Sequence, residues 1–203
     1  KLISALLLIA FAAPLFAQPQ VKKYVMIEHF TNSRCSICAS RNPAFFNLID
    51  DYPSDVHHIA VHPPVPYNNC VFYLANTADN ITMANEYGIN GTPRVALNGT
   101  LINAGNPLLP TATLESYLNQ TSPLYVKVED LGTGANRTAA ITLRNSGGIP
   151  AGDYTLYAAA LEKTINQTTP NGESVHHNVL RDLITAGIDL APLALGEEIS
   201  INL

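Results

Sequence analysis

The chain has 203 residues, 47% of them hydrophobic and 13% charged, with a formal net charge of −5. That length and apolar content suffice for a buried core in one or two domains. Mild acidity argues against a nucleic-acid partner, because no basic run or stripe exists to meet a phosphate backbone.

Residues 2–17, LISALLLIAFAAPLFA, form a short apolar run after Lys1 that ends in Ala17 before the polar QPQ. The run is shorter than the ~20 residues a membrane span needs and has the build of a secretory signal peptide over 1–17. The mature chain is then exported, with no membrane span of its own. Gln18 stands where a lipoprotein would carry its cysteine.

From Val21, VKKYVMIEHF reads as a β-run that stops where FTNSRCSIC begins. ASRNPAFFNLIDDYP follows with helical spacing of Ala44, Phe45, Leu48 and Ile49. VHHIAVH (56–62) alternates as a strand, and its histidines read as exposed strand residues. CVFYLANTADNITMANEYGI (70–89) is helical in one or two pieces after a Pro/Asn loop. RVALNGTLINAG (94–105) predicts two short strands about Asn98-Gly99. TATLESYLNQ (111–120) closes the series as a helix, with Thr111 or Thr113 as N-cap.

The texture changes after Ser122-Pro123. LYVKVED, RTAAITLRN and DYTLYAAALEK alternate as strands between Gly-rich turns, and the chain stops at EEISINL. The series predicts a β-sandwich module, cut short of the about seven strands such a module needs. Residues are then expected to be missing beyond Leu203.

Three cysteines occur: Cys35, Cys38 and Cys70. A C-x-x-C pair is a redox couple, half of a metal clamp or a structural staple. At the start of a helix, free backbone N–H groups and the positive dipole end favour a thiolate on Cys35, and Arg34 adds a positive charge. Cys38, one turn later, is placed to displace a mixed disulfide. A structural zinc site needs four ligands, and Cys70 has no partner spaced for a second knuckle, so no metal is assigned. Cys70 reads as a small buried residue. The residues call for no cofactor.

Taken together, Phe30 at the strand end, Cys35-Ser36-Ile37-Cys38, Pro43 in the helix and Y-G-I-N-G-T-P (87–93) resemble the thioredoxin superfamily. The resemblance implies an α/β domain with a central mixed sheet flanked by helices. It implies a cis Thr92-Pro93 bond against the cysteines, with Thr92 and Pro93 docking a substrate strand and Arg34 beside them. Departures from the superfamily are Arg34 in place of tryptophan, and Ser36-Ile37 in place of Gly-Pro. His29 stands at the buried-acid position, with Glu28 next to it; either is a candidate proton relay for Cys38.

More narrowly, VMIEHFTNSRCSIC, the NGTPR block and SVHHNVLRDL (174–183) resemble the outer-membrane-protein-related family named for its twenty-eight-kilodalton member. That resemblance implies a thioredoxin-like domain over 18–122 and an immunoglobulin-like β-domain over 123–203, partial here. It also implies a bacterial envelope location, periplasmic or associated with the outer membrane. The expected activity is thiol–disulfide exchange on exported protein thiols or disulfides through Cys35 and Cys38. The alternative is an envelope interaction protein that uses the thioredoxin fold as a scaffold and docks a protein partner through its β-domain.

Overall fold

The computed structural model describes residues 20–203 except 104, 135 and 151, and leaves aside the side chain of Ala186. The expected signal peptide, 1–17, lies outside the described residues. In chain order the elements are β1 (Val21–Lys22), β2 (Val25–Phe30), α1 (Ser36–Asp50), β3 (Val56–Val61), α2 (Val71–Ala75) and α3 (Thr77–Glu86). They continue with β4 (Arg94–Leu97), β5 (Thr100–Leu101), α4 (Thr111–Glu115), β6 (Thr121–Ser122), β7 (Leu124–Asp130) and β8 (Ala139–Asn145). β9 (Tyr154–Asn166), β10 (Val175–Leu190) and β11 (Glu198–Asn202) complete the chain.

β2 is the organising strand. It pairs in parallel with β3 on one side and antiparallel with β4 on the other, and β4 turns back into β5. Its alternation divides the interior into two layers. Val25 and Ile27 join Phe45 and Ile49 of α1, Val95, Leu97 and Leu114 in one core. Phe30 points the other way, into Ile59, Val61 and Ala96, with Met83 and Tyr87 packed against them. The β4–β5 hairpin turns through Asn98 and Gly99, both at positive φ, as an Asn-Gly pair favours. A β–α–β–α–β–β–α order with β3-β2-β4-β5 neighbours is a thioredoxin-like fold.

α4 is shorter than expected. It stops at Glu115, its N-cap is Pro110 with no side-chain cap bond, and neither Thr111 nor Thr113 caps it. Tyr117 and Leu118 continue in three-residue turns, and Asn119 ends the run at φ 60.

The second half forms two pieces. β7, β8 and β11 make a three-stranded antiparallel sheet in the order β11-β8-β7, with Ile141 and Leu143 buried. β9 and β10 make a hairpin of 13- and 16-residue strands. The near half of that hairpin adds to the first sheet: β10 runs parallel to β3 with Val179 opposite Ala60, giving the order β5-β4-β2-β3-β10-β9. The residues of the expected modules 18–122 and 123–203 therefore share one sheet. The addition follows from the apolar edge of β3, which would otherwise lie unpaired. Val179 and Leu180, both 0% exposed, point to opposite faces: Leu180 into the Phe30 layer, Val179 into a cluster of Cys70, Phe72 and Ile165. Farther out, bulges twist the ribbon, and Gly187 sits at φ +115 where an added Cβ would lie 2.8 Å from Thr155 Cγ2.

This addition overturns one expectation. His58 and His62 are buried, at 7% and 2% exposure, because β10 turns β3 from an edge into an interior strand. Burial drives the pKa of both far down and lowers that of His29 from 6.5 to about 3.

Two outcomes follow. Leu180→Ala should cost about 2–5 kcal/mol in urea unfolding, while Leu195→Ala, at an exposed site, should stay within about 0.5 kcal/mol. The histidines set an acid limit. Between the folded and unfolded pKa values only the unfolded chain binds the proton. Stability should therefore fall as pH drops below 6.5, by up to ~1.4 kcal/mol per pH unit for each buried imidazole. A urea midpoint that is flat from neutral pH into the acid range would contradict the burial.

Candidate functional site: the Cys35–Cys38 pair

β2 delivers the chain into a tight loop, 31–34, that leads straight into α1. Thr31, Asn32 and Ser33 are all buried, so their polar groups need internal partners. Asn32 Nδ2 donates to the carbonyls of Pro63, at 3.1 Å, and Tyr67, at 2.9 Å, while its Oδ1 accepts the Arg34 N–H at 3.0 Å. Ser33 donates from its N–H and its hydroxyl to Cys70 Sγ, at 3.4 and 3.1 Å. Cys70, fully buried at the N-cap of α2, thus buttresses the loop. The loop ends with the Cys35 N–H on the Asn32 carbonyl at 3.0 Å.

Cys35 is itself the N-cap of α1. Its backbone is extended, and its Sγ accepts the Cys38 N–H at 3.1 Å. A sulfur in this position answers a helix N–H that has no carbonyl partner and sits at the positive end of the dipole. The Cys35 pKa falls from 9.0 to about 6. The largest cause is a hydrogen bond from the Cys38 thiol, opposed by burial and reinforced by the backbone N–H groups of Cys38 and Ile37. Cys38 moves the other way: it supplies that proton and is 0% exposed, so its pKa is raised. All three cysteines are thiols in this structure.

Thr92 faces the pair. Its carbonyl lies 3.6 Å from Cys35 Sγ, its hydroxyl donates to the Val65 carbonyl at 3.4 Å, and its side chain lowers the pKa of both sulfurs. The Thr92-Pro93 bond is cis and Pro93 is buried. Two segments 57 residues apart are thus brought onto one sulfur. Arg34 is exposed beside the pair, its side chain free to meet solvent.

The two relay candidates from β2 point to opposite layers. Glu28 is half-buried on the α3 side, where its carboxylate accepts the Tyr87 hydroxyl at 2.6 Å and burial raises its pKa. His29 lies on the α1 side, 4.5 Å from the Phe45 ring and 5.6 Å from that of His58. Both its ring nitrogens and Asn42 Oδ1 are buried without a hydrogen-bond partner. His29 is neutral at physiological pH.

A connection on the α1 side was not apparent from sequence. Hydrogen bonding to Cys35 and burial raise the Cys38 pKa, and the Thr31 side chain is a small opposing influence. Asn42 Nδ2 donates both to Thr31 Oγ1, at 3.2 Å, and to Glu173 Oε1, at 2.7 Å. Glu173 and Asn171 belong to the turn between β9 and β10. Asn171 donates from its backbone to the Ser33 carbonyl at 3.2 Å, and from Nδ2 to the carbonyls of Asn32 and Cys35 at 3.3 Å each. Nothing in the sequence linked the Asn171-Gly172 turn to residues more than 130 positions upstream. A groove of about 610 Å³ runs between this turn and α1, lined by Ser36, Ala39, Asn42, Phe46, Asn171 and Glu173 among others. Among the described residues, no group of three His, Cys, Asp or Glu converges to hold a metal ion, and no helix is long and apolar enough to cross a membrane.

No family model matches the chain, and no curated protein matches it. Solved structures do. HBP35 of Porphyromonas gingivalis superposes with a TM-score of 0.71 at 19% identity, over 90% of this chain and 63% of that one. A structural-genomics target from Agrobacterium tumefaciens superposes with a TM-score of 0.62 at 20% identity, over 92% of this chain and 80% of its own. The chain thus spans less than two thirds of the HBP35 chain it matches. At these identities the likeness is one of fold, and it extends through the second half of the chain as well as the thioredoxin-like sheet.

Proposed function

We propose that this chain is an envelope thiol–disulfide oxidoreductase acting on cysteines of exported proteins. One observation carries the reading: a helix-capping Cys35 sulfur with a lowered pKa, one turn from a protonated Cys38 and against Thr92. Cys35 thiolate attacks a substrate disulfide, forming a mixed disulfide and expelling one substrate thiolate. Cys38 then attacks Cys35 Sγ, closing the Cys35–Cys38 disulfide and releasing the second thiolate. The reverse sequence oxidises a substrate dithiol.

Around that pair, Thr92 and Pro93 dock an extended substrate strand through the backbone, and Arg34 adds positive charge at the mouth. Glu28 and His29 stand as candidates for handling the Cys38 proton, with His29 on the α1 side of the sheet that carries the pair. The resemblance to the outer-membrane-protein-related family supports an exported location, in the periplasm or at the outer membrane. On the same reading β7, β8, β11 and the outer part of the β9–β10 hairpin belong to an immunoglobulin-like module. Exposed Val126 and Val128 on β7, at 48% and 63%, favour a second role in which that module docks an envelope protein.

Insulin reduction by the full chain tests the assignment. Cys35→Ser should reduce turnover to the uncatalysed background, and Cys38→Ser should trap mixed disulfides with exported proteins. Turnover that survives both changes leaves only the scaffold reading. The pH profile is a separate check. Alkylation of Cys35 should be half-maximal near pH 6 and fall below it as the thiolate is protonated. Thr92→Ala should move that midpoint upward, because it removes a hydroxyl that stabilises the anion.

A further inference from the structure

The groove between α1 and the β9–β10 turn plays no part in the exchange chemistry above, yet it opens beside the reacting cysteine. Ser36, Ala39, Ser40 and Pro43 line one wall. Their spacing sets them on a single stripe of the helix that starts at the residue bonded to Cys35. The opposite wall is the turn, from Asn171 to Val175, and Asn171 Nδ2 donates to the Cys35 carbonyl at 3.3 Å. The groove's volume of about 610 Å³ falls in the range of ligand sites.

Resting on the oxidoreductase reading, we propose that this groove holds the substrate polypeptide next to its reacting cysteine, and that Glu173 selects a lysine or arginine there. Among the described residues that line the groove, Glu173 is the one charged side chain. Its carboxylate is held in place: Oε1 accepts from Asn42 Nδ2 at 2.7 Å and Oε2 from Asn171 Nδ2 at 2.5 Å. Neither amide brings a charge. Among the described residues no lysine, arginine or histidine forms an ion pair with it. Arg41 of α1 is committed elsewhere, to the Gly105 carbonyl at 2.6 Å. Glu173 is half-buried, so water screens it less than it would a fully exposed carboxylate, and a pair with an incoming cation is strengthened.

The helix sets where that cation belongs in the substrate. Glu173 meets α1 at Asn42, two turns beyond Cys35, a rise of about 10 Å along the axis. An extended peptide covers that span in about three residues. The cation therefore stands about three positions from the cysteine that meets Cys35. Exposed Ser36 and Ser174 present hydroxyls to the peptide on the way. Half-buried Phe46 and exposed Val175 offer apolar surface to the aliphatic stem of a lysine or arginine.

No other group near the pair supplies this selection. Thr92 and Pro93, which dock the substrate backbone, carry no charge. Arg34, exposed next to Cys35, repels a cation. The net charge of −5 attracts cations generally but does not distinguish one position in a peptide from another.

Synthetic alanine–glycine–serine peptides test this, each with a single cysteine held as a mixed disulfide with thionitrobenzoate. Cys35 thiolate attacks the peptide sulfur, forming a protein–peptide disulfide and expelling the coloured aromatic thiolate. Its release gives a rate for each peptide with the full reduced chain. With arginine about three positions from the cysteine, on one side or the other, the rate should exceed that of the matching glutamine peptide about five- to tenfold. The excess should shrink as salt is added, and should be smaller when arginine stands at the far end of a longer peptide. In Glu173→Gln the arginine-to-glutamine ratio should fall close to one. Where that variant does not fold, Ser40→Lys, at an exposed position of α1, should lower the same ratio by placing a cation in the groove. Equal rates for the two peptides, a gain that ignores the position of arginine, or a ratio that these substitutions leave unchanged would each overturn the role of the groove. The oxidoreductase reading stands through all three, provided that release is lost in Cys35→Ser. Release that persists in Cys35→Ser would overturn both.

Discussion

The structure turns on one hydrogen bond, from the Cys38 N–H to Cys35 Sγ at 3.1 Å. A sulfur that caps a helix does two things with one contact. It satisfies a first-turn donor that the helix leaves open, and it exposes the sulfur to the partial positive charge of the helix end. The second sulfur, one turn inside, receives neither benefit and is instead fully buried. Two chemically identical side chains therefore separate into an attacking thiolate and a protonated partner, which is the division of labour that exchange chemistry needs. Pro43, farther along α1, lies well clear of this first turn.

That contact holds only if the loop before it is rigid, and the rigidity comes from distant parts of the chain. Asn32 ties the loop to the 63–67 segment, Cys70 ties Ser33 to the start of α2, and Asn171 ties Asn32, Ser33 and Cys35 to the β9–β10 turn. The last of these depends on β10 pairing with β3, so the sheet addition that buries Val179 and Leu180 also seats a turn against the cysteines. An edge strand was covered, and a polar hairpin tip reached the site as a consequence. The second half of the chain is in this sense part of the thiol environment.

The local features were legible because they are short-range. C-x-x-C after a strand specified a helix N-terminus, Asn98-Gly99 specified a hairpin, and the apolar spacing of Phe45 and Ile49 specified the face that α1 buries. Non-local features were not. Alternation in VHHIAVH reveals two faces but not whether a further strand will cover the edge, so His58 and His62 read as exposed. SVHHNVLRDL stood out as a block, yet its place beside β3 depends on a pairing across more than a hundred residues, which no periodicity encodes. Thr111 and Thr113 were plausible caps by residue type, but Pro110, with its fixed φ, took the position first.

The electrostatics explain why a neutral group suits the layer beneath this pair better than a carboxylate. Once Cys35 is ionised, a second anion directly beneath it would raise both thiol pKa values by like-charge repulsion and would itself be driven to protonate. A neutral imidazole at position 29 avoids that conflict, since its lowered pKa keeps it uncharged while the thiolate forms. It also packs as an aromatic surface against Phe45 and Phe46 under α1. The carboxylate that is tied to α1, Glu173, sits instead on the half-exposed β9–β10 turn, held by Asn42 and Asn171, where solvent screens it. The attacking sulfur then keeps its low pKa, since the imidazole packed on the α1 side carries no charge to oppose it.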